Sequence, residues 1–450
     1  MRTALLLILT LAACIPDSDE VVEAPEAPWP EWAFHHWVWE NESTDQSATA
    51  LVDGFLDHDI PVGAVIIDSP WATGYNTFDF DPARFPDPAA FIDGMHQREV
   101  RVLLWVVPGI NVEVEELYTY GAERGYFMQA NADSGPKVVS YWKGEASLID
   151  FFNPEAVSWW HSLVDKALVF EPDGWKCDGL DYSAVLAPYS PGLGRSVGRL
   201  EYSHAYYRDF FDYTRAQLGE DRLITARPVD NYGADVGGDL AAFAPVDITW
   251  AGWVGDQDPD FGGLRAALNN MYHSSEYGYV AFGSDIGGFR TLDDNPLGRE
   301  KVPFVRWAQV GALCPVMENG GAGEHRPWVF DEEAGEIYRT FAKLHHALLP
   351  YLMEEGGEAF AGGYSLMRFQ SKDRYDWLLG DDLFVAPILS EEEEVQVVFP
   401  EGARWVWAFH PEQAFEGGNT ASLAVPLGEF PLFWREGAAV SEVVLEALGS

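Results

Sequence analysis

The chain has 450 residues, 47% of them hydrophobic, and its 28 basic and 72 acidic side chains give a formal net charge of -44. A charge of this size argues against nucleic acid, an anionic membrane surface or a polyanionic substrate as a partner, because each would be repelled before contact. The length allows one large domain and one small one, with ample apolar material for a core.

The first thirty residues predict export and attachment to a membrane through lipid. A charged start, an apolar run and the sequence Leu11-Ala12-Ala13-Cys14 have the form of a signal peptide over residues 1–13 and resemble a bacterial lipobox. Cleavage would leave a lipid-bearing Cys14 on a flexible tether of residues 14–30, which predicts an exported bacterial lipoprotein, periplasmic or at the cell surface. The alternative is an ordinary signal peptide with an incidental cysteine. The apolar run is too short to span a bilayer, so lipid alone would anchor the protein.

The other two cysteines, Cys177 and Cys314, lie in apolar runs, so the fold is not expected to depend on disulfide bonds. No pair or cluster of side chains has the spacing of zinc ligands. We therefore expect no metal and no other cofactor.

Short β-rich runs alternate with helical patterns along residues 31–355, the order expected of βα units around a parallel sheet. This order predicts an α/β fold, a (β/α)8 TIM barrel over residues 31–355, with a long insertion at residues 109–173 that is expected to be functional. The predicted strands are residues 33–37, 62–68, 100–108, 174–180, 223–227, 247–252, 280–285 and 312–317. The predicted helices are residues 88–98, 154–170, 201–218, 261–277, 300–310 and 332–353.

After residue 355 the pattern changes to short alternating strands and turns, which predicts a small all-β domain over residues 356–450. Its expected strands are residues 364–369, 377–379, 383–388, 395–399, 405–409, 424–426 and 431–435.

Two aspartates, Asp178 and Asp256, follow predicted strands at the edge where a barrel enzyme keeps its chemistry. Cleavage of a glycosidic bond requires two carboxylates, since one protonates the leaving oxygen while the other attacks or directs water. Taken singly, each aspartate could instead cap a helix or pair with an arginine. As a pair they suggest a glycosidase.

The other polar and aromatic residues near the strand ends fit a neutral sugar. Carboxylates and arginine take hydroxyls in paired hydrogen bonds, while indole faces cover the C–H surface of a sugar ring. A metal-dependent hydrolase would need more histidines at these positions. The candidates for sugar contact are Asp68, Trp105, Trp142, Arg227, Trp253, Asp285 and His325.

Several motifs are similar to those of glycoside hydrolase family 31, the retaining α-glucosidase and α-xylosidase family. The clearest is Ser284-Asp285-Ile286-Gly287-Gly288-Phe289, which resembles the family's seventh-strand motif. The other similar segments are residues 79–88, 102–109, 150–160 and 383–388. Together they run in order through nearly the whole chain after the predicted signal peptide.

The resemblance implies roles for eight residues. Asp178 would be the nucleophile and Asp256 the general acid/base. Lys176 and Trp175, on the same strand as the nucleophile, would touch the sugar. The other implied contacts are Asp68 at the far side of the ring, Arg227 between sugar and acid/base, Trp253 as a wall of the pocket, and His325 at a ring hydroxyl.

Two features depart from the family's pattern. The nucleophile is normally followed by a Gly-Glu pair, whereas here Gly179-Leu180-Asp181 follows, so Asp181 would have to replace that glutamate. The family also carries a β-sandwich before the barrel, and the stretch between Cys14 and the first predicted strand is too short to hold one. A wall of the pocket would then be missing.

Taken together, the resemblance implies an exo-acting, retaining α-glycosidase that works by double displacement through a covalent glycosyl-enzyme. Its partner would be a small carbohydrate substrate. Two alternatives are a surface carbohydrate-binding lipoprotein without catalysis and an α-transglycosylase. The presence of both aspartates favours an enzyme.

Overall fold

The computed structural model describes residues 25–180, 188–233 and 241–449. The predicted signal peptide, the lipidation site Cys14 and the proposed replacement Asp181 lie outside these residues. The described part contains an eight-stranded parallel barrel and a smaller antiparallel domain. The barrel strands, from first to eighth, are His36–Glu40, Ala64–Ile67, Arg101–Val106, Gly174–Cys177, Leu223–Ala226, Ala251–Val254, Phe282–Ser284 and Met317–Gly321.

The strands follow one another around the barrel in chain order, and the ladders that join them are all parallel. The eighth strand returns to pair with the first, with Met317 opposite His36. Between the seventh and eighth strands the ladder is reduced to one parallel bridge, Asp285 to Glu318. There the Ile286 N–H donates to the Glu318 carbonyl at 3.0 Å. The predicted barrel is confirmed, and it is nearly closed.

Three barrel strands lie further along the chain than predicted. The first begins at His36 because the apolar residues before it form a short 3₁₀ helix, Glu31–Phe34. The sixth is Ala251–Val254 rather than residues 247–252, and the eighth is Met317–Gly321 rather than residues 312–317. Apolar runs are buried at the base of a barrel as well as inside its strands, so burial alone does not locate a strand. As a result, Glu318 belongs to a strand and not to the loop after it.

Helices cover the outside of the barrel, and several begin at the capping residues expected of them. The side chains of Asn153, Asp260 and Asp331 each accept a hydrogen bond from a backbone N–H in the first turn. The helix predicted over residues 332–353 is two helices, because Pro350 has no N–H to continue the ladder. The helices around the barrel are Asp45–Asp57, Pro88–His96, Pro154–Leu168, Arg199–Leu218, Phe261–Glu276, Lys301–Gly311, Pro327–Phe330, Glu332–Ala347 and Leu349–Gly362. None of the helices in the described part of the chain combines the length and apolarity needed to cross a lipid bilayer.

The insertion after the third barrel strand forms a small antiparallel sheet. Its strands are Gly109–Asn111, Val138–Tyr141 and Gly144–Leu148, with the last of these in the middle. The helix Glu115–Arg124 lies between the first two strands along the chain. Two shorter hairpins follow the fourth and fifth barrel strands, Tyr189–Ser190 with Arg195–Ser196 and Val229–Asp230 with Ala241–Ala242.

The residues after the barrel form the antiparallel domain that was predicted, although residue 356 falls inside the helix Leu349–Gly362. The strand His410–Glu416 was not predicted, because polar residues interrupt its apolar pattern. A six-stranded sheet has the order Met367–Phe369, Trp377–Leu379, Leu383–Val385, Leu432–Arg435, Arg404–Trp407, His410–Glu416. A second sheet pairs Glu394–Val398 with Thr420–Ala424, and the helix Val440–Ala447 ends the described chain.

Two side chains of the barrel helix Lys301–Gly311 fasten the antiparallel domain. The Arg306 guanidinium donates to the carbonyls of Val425 and Glu429, each at 2.8 Å. Gln309 Nε2 donates to the Leu427 carbonyl at 2.7 Å. Burial lowers the pKa of Arg306 to about 10, so the guanidinium remains charged at neutral pH. These bonds hold the second domain against the side of the barrel.

Candidate active site

The carboxyl ends of the barrel strands surround a cavity of about 440 Å³, a volume typical of small-molecule sites. Four carboxylates line it, those of Asp68, Asp178, Asp256 and Asp285. The aromatic residues in its wall are Trp39, Trp105, Trp142, Tyr232, Trp253 and Phe289. Acids with aromatic faces are the combination that the sequence predicted for this end of the barrel.

Asp178 directly follows the fourth strand and is held by both its backbone and its side chain. Its N–H donates to the Val106 carbonyl at 2.8 Å, which continues the ladder to the third strand. One carboxylate oxygen accepts from Trp105 Nε1 at 3.3 Å and the other from Arg227 Nε at 3.1 Å. Donors to both oxygens fix the orientation of the carboxylate. The residue is 7% exposed, and that exposed part faces the cavity.

Asp256 lies just beyond the sixth strand in a left-handed backbone conformation, with φ of 72°. This conformation costs a non-glycine residue about 1 kcal/mol or more and is concentrated at functional sites. It is held in place because the Asp256 N–H donates to Asp285 Oδ2 at 3.1 Å. The Asp256 carboxylate then accepts from an Arg227 nitrogen at 2.6 Å.

Arg227, at the end of the fifth strand, joins the two catalytic candidates. Its fully buried guanidinium contacts Asp178, Asp256 and Asp230, and it lies 3.7 Å from the ring centre of Trp253. Burial opposes its charge, but the surrounding carboxylates hold the pKa of Arg227 well above its ordinary value. Arg227 was expected to bridge the sugar and the acid/base. It instead lies behind both carboxylates and does not border the cavity.

Lys176 lies at the bottom of the cavity between acids and indole rings. Its Nζ is 3.3 Å from Asp68 Oδ2 and 3.6 Å from Glu318 Oε1, and it lies 3.4 Å from the ring centre of Trp39. Burial lowers the pKa of Lys176, but the carboxylates around it, led by Asp68, more than offset this effect, so the net shift is upward. The ammonium is therefore charged where it borders the cavity.

Asp285 and Glu318 face each other across the seam between the seventh and eighth strands. Asp285 accepts from Trp253 Nε1 at 2.9 Å, whereas neither carboxyl oxygen of the fully buried Glu318 has a hydrogen-bond partner among the described residues. Burial raises the pKa of both groups: the charge of Glu318 adds to the shift of Asp285, and that of Asp68 to the shift of Glu318. Lys176 opposes both shifts without cancelling them. This part of the site consequently holds a proton more tightly than an exposed acid would.

Trp142 and Lys143 form the turn of the hairpin in the insertion and line the cavity. The Trp142 ring is 51% exposed and meets the edge of Trp105 at a centroid distance of 6.2 Å. Trp105 in turn donates to Asp178, so the aromatic wall runs from the candidate nucleophile out to solvent.

Two residues predicted to contact the sugar lie outside the cavity. Side chains alternate along a strand, so with Lys176 pointing into the barrel Trp175 points outward, where its Nε1 donates to Thr214 at 2.8 Å. His325 is 5% exposed, and its Nε2 lies 3.3 Å from the Gly288 carbonyl, behind the cavity wall. Burial, assisted by Arg299, lowers the pKa of His325 well below its ordinary value. Neither Trp175 nor His325 therefore borders the cavity, and their contacts with the sugar stay predictions.

Several cavity residues were not selected from the sequence. Ser69 and Phe289 adjoin predicted positions, so proximity to Asp68 and to the seventh-strand motif was an available signal. Trp39 and Glu318 lie at or just after the ends of predicted strands, but neither was chosen as a sugar contact. The full set of additional lining residues is Trp39, Asn41, Ser69, Lys143, Tyr232, Phe289 and Arg290. Across the described ranges, no group of three or more His, Cys, Asp or Glu side chains is arranged to hold a metal ion.

Comparison with known families agrees with this geometry. A model of the glycosyl hydrolases family 31 TIM-barrel domain matches residues 26–355. The chain belongs to this family. A model of the family's C-terminal domain matches residues 366–440, the antiparallel domain described above.

Individual relatives are distant. An alpha-xylosidase from Emericella nidulans is 25% identical over 433 residues, covering 91% of this chain and 53% of that protein. Alpha-glucosidase 2 from Bacillus thermoamyloliquefaciens is 25% identical over 432 residues, covering 92% of this chain and 53% of that protein. The chain thus spans about half the length of the curated relatives it matches.

Solved structures share the fold. A family 31 alpha-xylosidase from a soil metagenome, complexed with xylose, superposes with a TM-score of 0.79 at 21% identity, covering 94% of this chain and 65% of that one. A Flavobacterium johnsoniae family 31 dextranase complexed with glucose gives a TM-score of 0.78 at 18% identity, covering 92% and 53%.

Proposed function

We propose that the protein is a retaining α-glycosidase that removes a sugar from the end of an α-linked glycoside. The observation that carries the proposal is the pair Asp178 and Asp256, which border one cavity and share the Arg227 guanidinium in a family 31 barrel. Relatives named alpha-xylosidase and alpha-glucosidase support the α configuration of the substrate.

In the first step, an oxygen of Asp178 attacks the anomeric carbon while the bond from that carbon to the leaving oxygen breaks. Asp256 gives its proton to the leaving oxygen. Hydrogen bonds from Trp105 and Arg227 orient the attacking carboxylate. The product is a covalent glycosyl-enzyme and a free alcohol.

In the second step, Asp256 takes a proton from water, and the water oxygen attacks the anomeric carbon as the bond to Asp178 breaks. Two inversions leave the configuration unchanged. Asp256 must be protonated before the first step and ionised before the second. Its greater exposure, 27% of the side chain against 10% for Asp178, gives water and the leaving group access to it.

A panel of 4-nitrophenyl α- and β-glycosides of glucose, xylose, galactose and N-acetylgalactosamine tests the proposal. We expect turnover of at least one α-glycoside, with α-configured sugar as the first product in a proton NMR time course. Turnover restricted to β-glycosides, or release of the β-anomer first, would contradict it.

Transglycosylation is a second candidate activity, favoured by the exposed Trp142 beside the cavity mouth. An aromatic platform there can hold a second sugar where water would otherwise attack. Adding free sugars to the hydrolysis reaction and analysing products by mass spectrometry distinguishes the two outcomes. A binding protein without catalysis would bind the same sugars in calorimetry and turn over none of the panel.

We propose further that Cys14 carries lipid and attaches the exported protein to a membrane. The support is the lipobox-like sequence Leu11-Ala12-Ala13-Cys14 after a charged and apolar start. Expression in a bacterial host with radiolabelled palmitate should label the wild type but not Cys14→Ala. Equal labelling of both would reject the site.

A further inference from the structure

The mouth of the cavity carries a lysine that forms no ion pair with any acid in the described part of the chain. Lys176 is held by Asp68 and Glu318, and Arg290 pairs with Asp258 at 3.2 Å. Lys143, which borders the same cavity, makes no ion pair within 4.0 Å with any carboxylate of the described residues. In a chain with 72 acidic and 28 basic residues, an uncompensated ammonium at a ligand site is available for a ligand.

The turn that carries Lys143 is fixed from below. Asn111 Nδ2 donates to the Lys143 carbonyl at 2.7 Å, and the Tyr141 hydroxyl donates to Asn111 Oδ1 at 2.5 Å. Gly144, with φ of 112°, closes the two-residue turn in a conformation that other residues rarely adopt. The hairpin backbone is therefore pre-organised, and little conformational freedom is lost when a ligand binds there.

The position of the turn places Lys143 where the leaving group of the substrate would lie. The cavity wall runs from Asp178 through Trp105 to Trp142, whose ring is half exposed. In an enzyme that removes terminal sugars, the departing part of the substrate occupies the open end of the pocket. Lys143 follows Trp142 at that open end, with its Nζ 5.9 Å from the ring centre of Tyr75.

We propose that the leaving group of the natural substrate carries a carboxylate, which Lys143 binds while Trp142 covers an adjoining ring. The inference rests on the proposed glycosidase function and names its substrate class. The chain's net charge does not oppose it, because physiological salt screens charges more than about 8 Å away. At the open end of the cavity the nearby Lys143 ammonium favours a single carboxylate, whereas a polyanion would also meet the four carboxylates that line the cavity.

The test compares two α-glycosides of whichever sugar the glycoside panel selects, with 4-carboxyphenyl and 4-carbamoylphenyl leaving groups of similar shape. We expect kcat/KM to be about two- to fivefold higher for the carboxylate at low salt, the range for a partly exposed ion pair. The preference should shrink in 0.5 M NaCl. Lys143→Met should bring the ratio to one or below, since the other cations of the cavity wall, Lys176 and Arg290, are already paired with carboxylates.

Matched variants separate charge from stacking. Lys372→Met removes an exposed lysine on the second domain and should leave the ratio unchanged. Trp142→Ala should lower kcat/KM for both substrates and keep their ratio. Calorimetry on Asp178→Asn with the same two glycosides measures the preference without turnover, so it tests Lys143 even in an inactive protein.

Different results would contradict the glycosidase function and the role of Lys143. No turnover of any panel glycoside by the wild type would count against the glycosidase function. Turnover of both leaving groups at equal kcat/KM, or a preference that survives Lys143→Met, would overturn the role of Lys143. Equal binding of both glycosides to Asp178→Asn would overturn it as well.

Discussion

Arg227 gives the two candidate catalytic aspartates a common partner but not a common environment. Asp178 is nearly buried and also accepts from Trp105, whereas Asp256 is more exposed and held in a strained backbone conformation. The first arrangement suits a nucleophile held in one orientation, and the second suits a group that the leaving group and water can reach.

This difference predicts unequal effects of substitution. Asp178→Asn should abolish turnover of every substrate. Asp256→Ala should lower kcat/KM about 10²- to 10⁴-fold on alkyl glycosides, the usual contribution of general acid catalysis. The rate of the first step with glycosyl fluorides should fall much less in Asp256→Ala, because fluoride needs little protonation to leave. Steady-state and burst kinetics with both substrate types measure this.

The control for that experiment is Asp293→Asn, which changes an exposed aspartate and should behave as wild type. If Asp256→Ala lost activity equally on fluorides and on alkyl glycosides, the acid/base role would be wrong.

Glu318 supplies a second prediction, on stability as a function of pH. Burial raises the pKa of its carboxyl above the ordinary value of 4.5, so the folded chain keeps a proton that the unfolded chain releases. The free energy of unfolding therefore falls as pH rises through the interval between the two pKa values, by at most about 1.4 kcal/mol per pH unit. Glu318→Gln is neutral at every pH and lacks this dependence. We expect Glu318→Gln to gain stability relative to wild type in urea denaturation as pH rises above the ordinary pKa of 4.5.

The exposed Glu354→Gln serves as the matched change on the outside of the barrel. It should show no such relative gain. A stability difference between Glu318→Gln and wild type that stays constant over this pH range would mean that Glu318 is ionised in the folded protein.

At the scale of elements, the seam between the seventh and eighth strands is the weakest join in the barrel sheet. One bridge closes it, and it carries Asp285 and Glu318. Gly283 allows the seventh strand to pack closely against the segment that leads into the eighth. A Cβ at this position would lie 2.0 Å from the Val316 carbonyl oxygen. The absence of a side chain is thus a requirement of strand contact.

We predict that Gly283→Ala destabilises the protein by about 1–3 kcal/mol, the usual cost of forcing extra volume into a packed interior. A shift of these strands would also displace Asp285, which accepts a hydrogen bond from the backbone N–H of Asp256. We therefore expect Gly283→Ala to lower both kcat/KM and the melting temperature. Calorimetry and activity measurements on the same preparation test both effects.

Gly428→Ala is the comparison, because nothing lies within 4 Å of a Cβ built at Gly428. It should match wild type in both measurements. Wild-type stability of Gly283→Ala would show that the seam tolerates a wider spacing.

At the scale of the whole molecule, the net charge of -44 opposes compactness through self-repulsion. Surface ion pairs such as Lys166 with Asp79 and Lys343 with Asp59 offset little of it, since water and salt screen exposed charges. Salt weakens those pairs but screens the larger repulsion as well. The balance favours greater stability in salt.

We therefore predict that the melting temperature rises by several degrees between 10 mM and 0.5 M NaCl, as the screening length falls from about 30 Å to a few ångströms. Differential scanning calorimetry measures the change, and KCl in place of NaCl controls for an ion-specific effect. An unchanged or lower melting temperature would mean that the acidic surface is already neutralised locally.

The sequence alone determined the barrel, the antiparallel domain after it and four carboxylates of the site. Alternation of apolar runs with helical patterns is a local signal, and parallel strands bring their carboxyl ends to one edge, so Asp68, Asp178, Asp256 and Asp285 converge once the fold is known. Motif resemblance to family 31 added their roles.

Only the tertiary structure showed which face of its strand each side chain occupies and which residues from other strands contact it. Trp175 among the helices and Lys176 in the cavity are consecutive residues, and only strand pairing establishes which of the two faces inward. Arg227 and Glu318 act through neighbours contributed by other strands, contacts that no local pattern records. The hairpin that brings Lys143 to the mouth likewise depends on Asn111, 32 residues earlier in the chain.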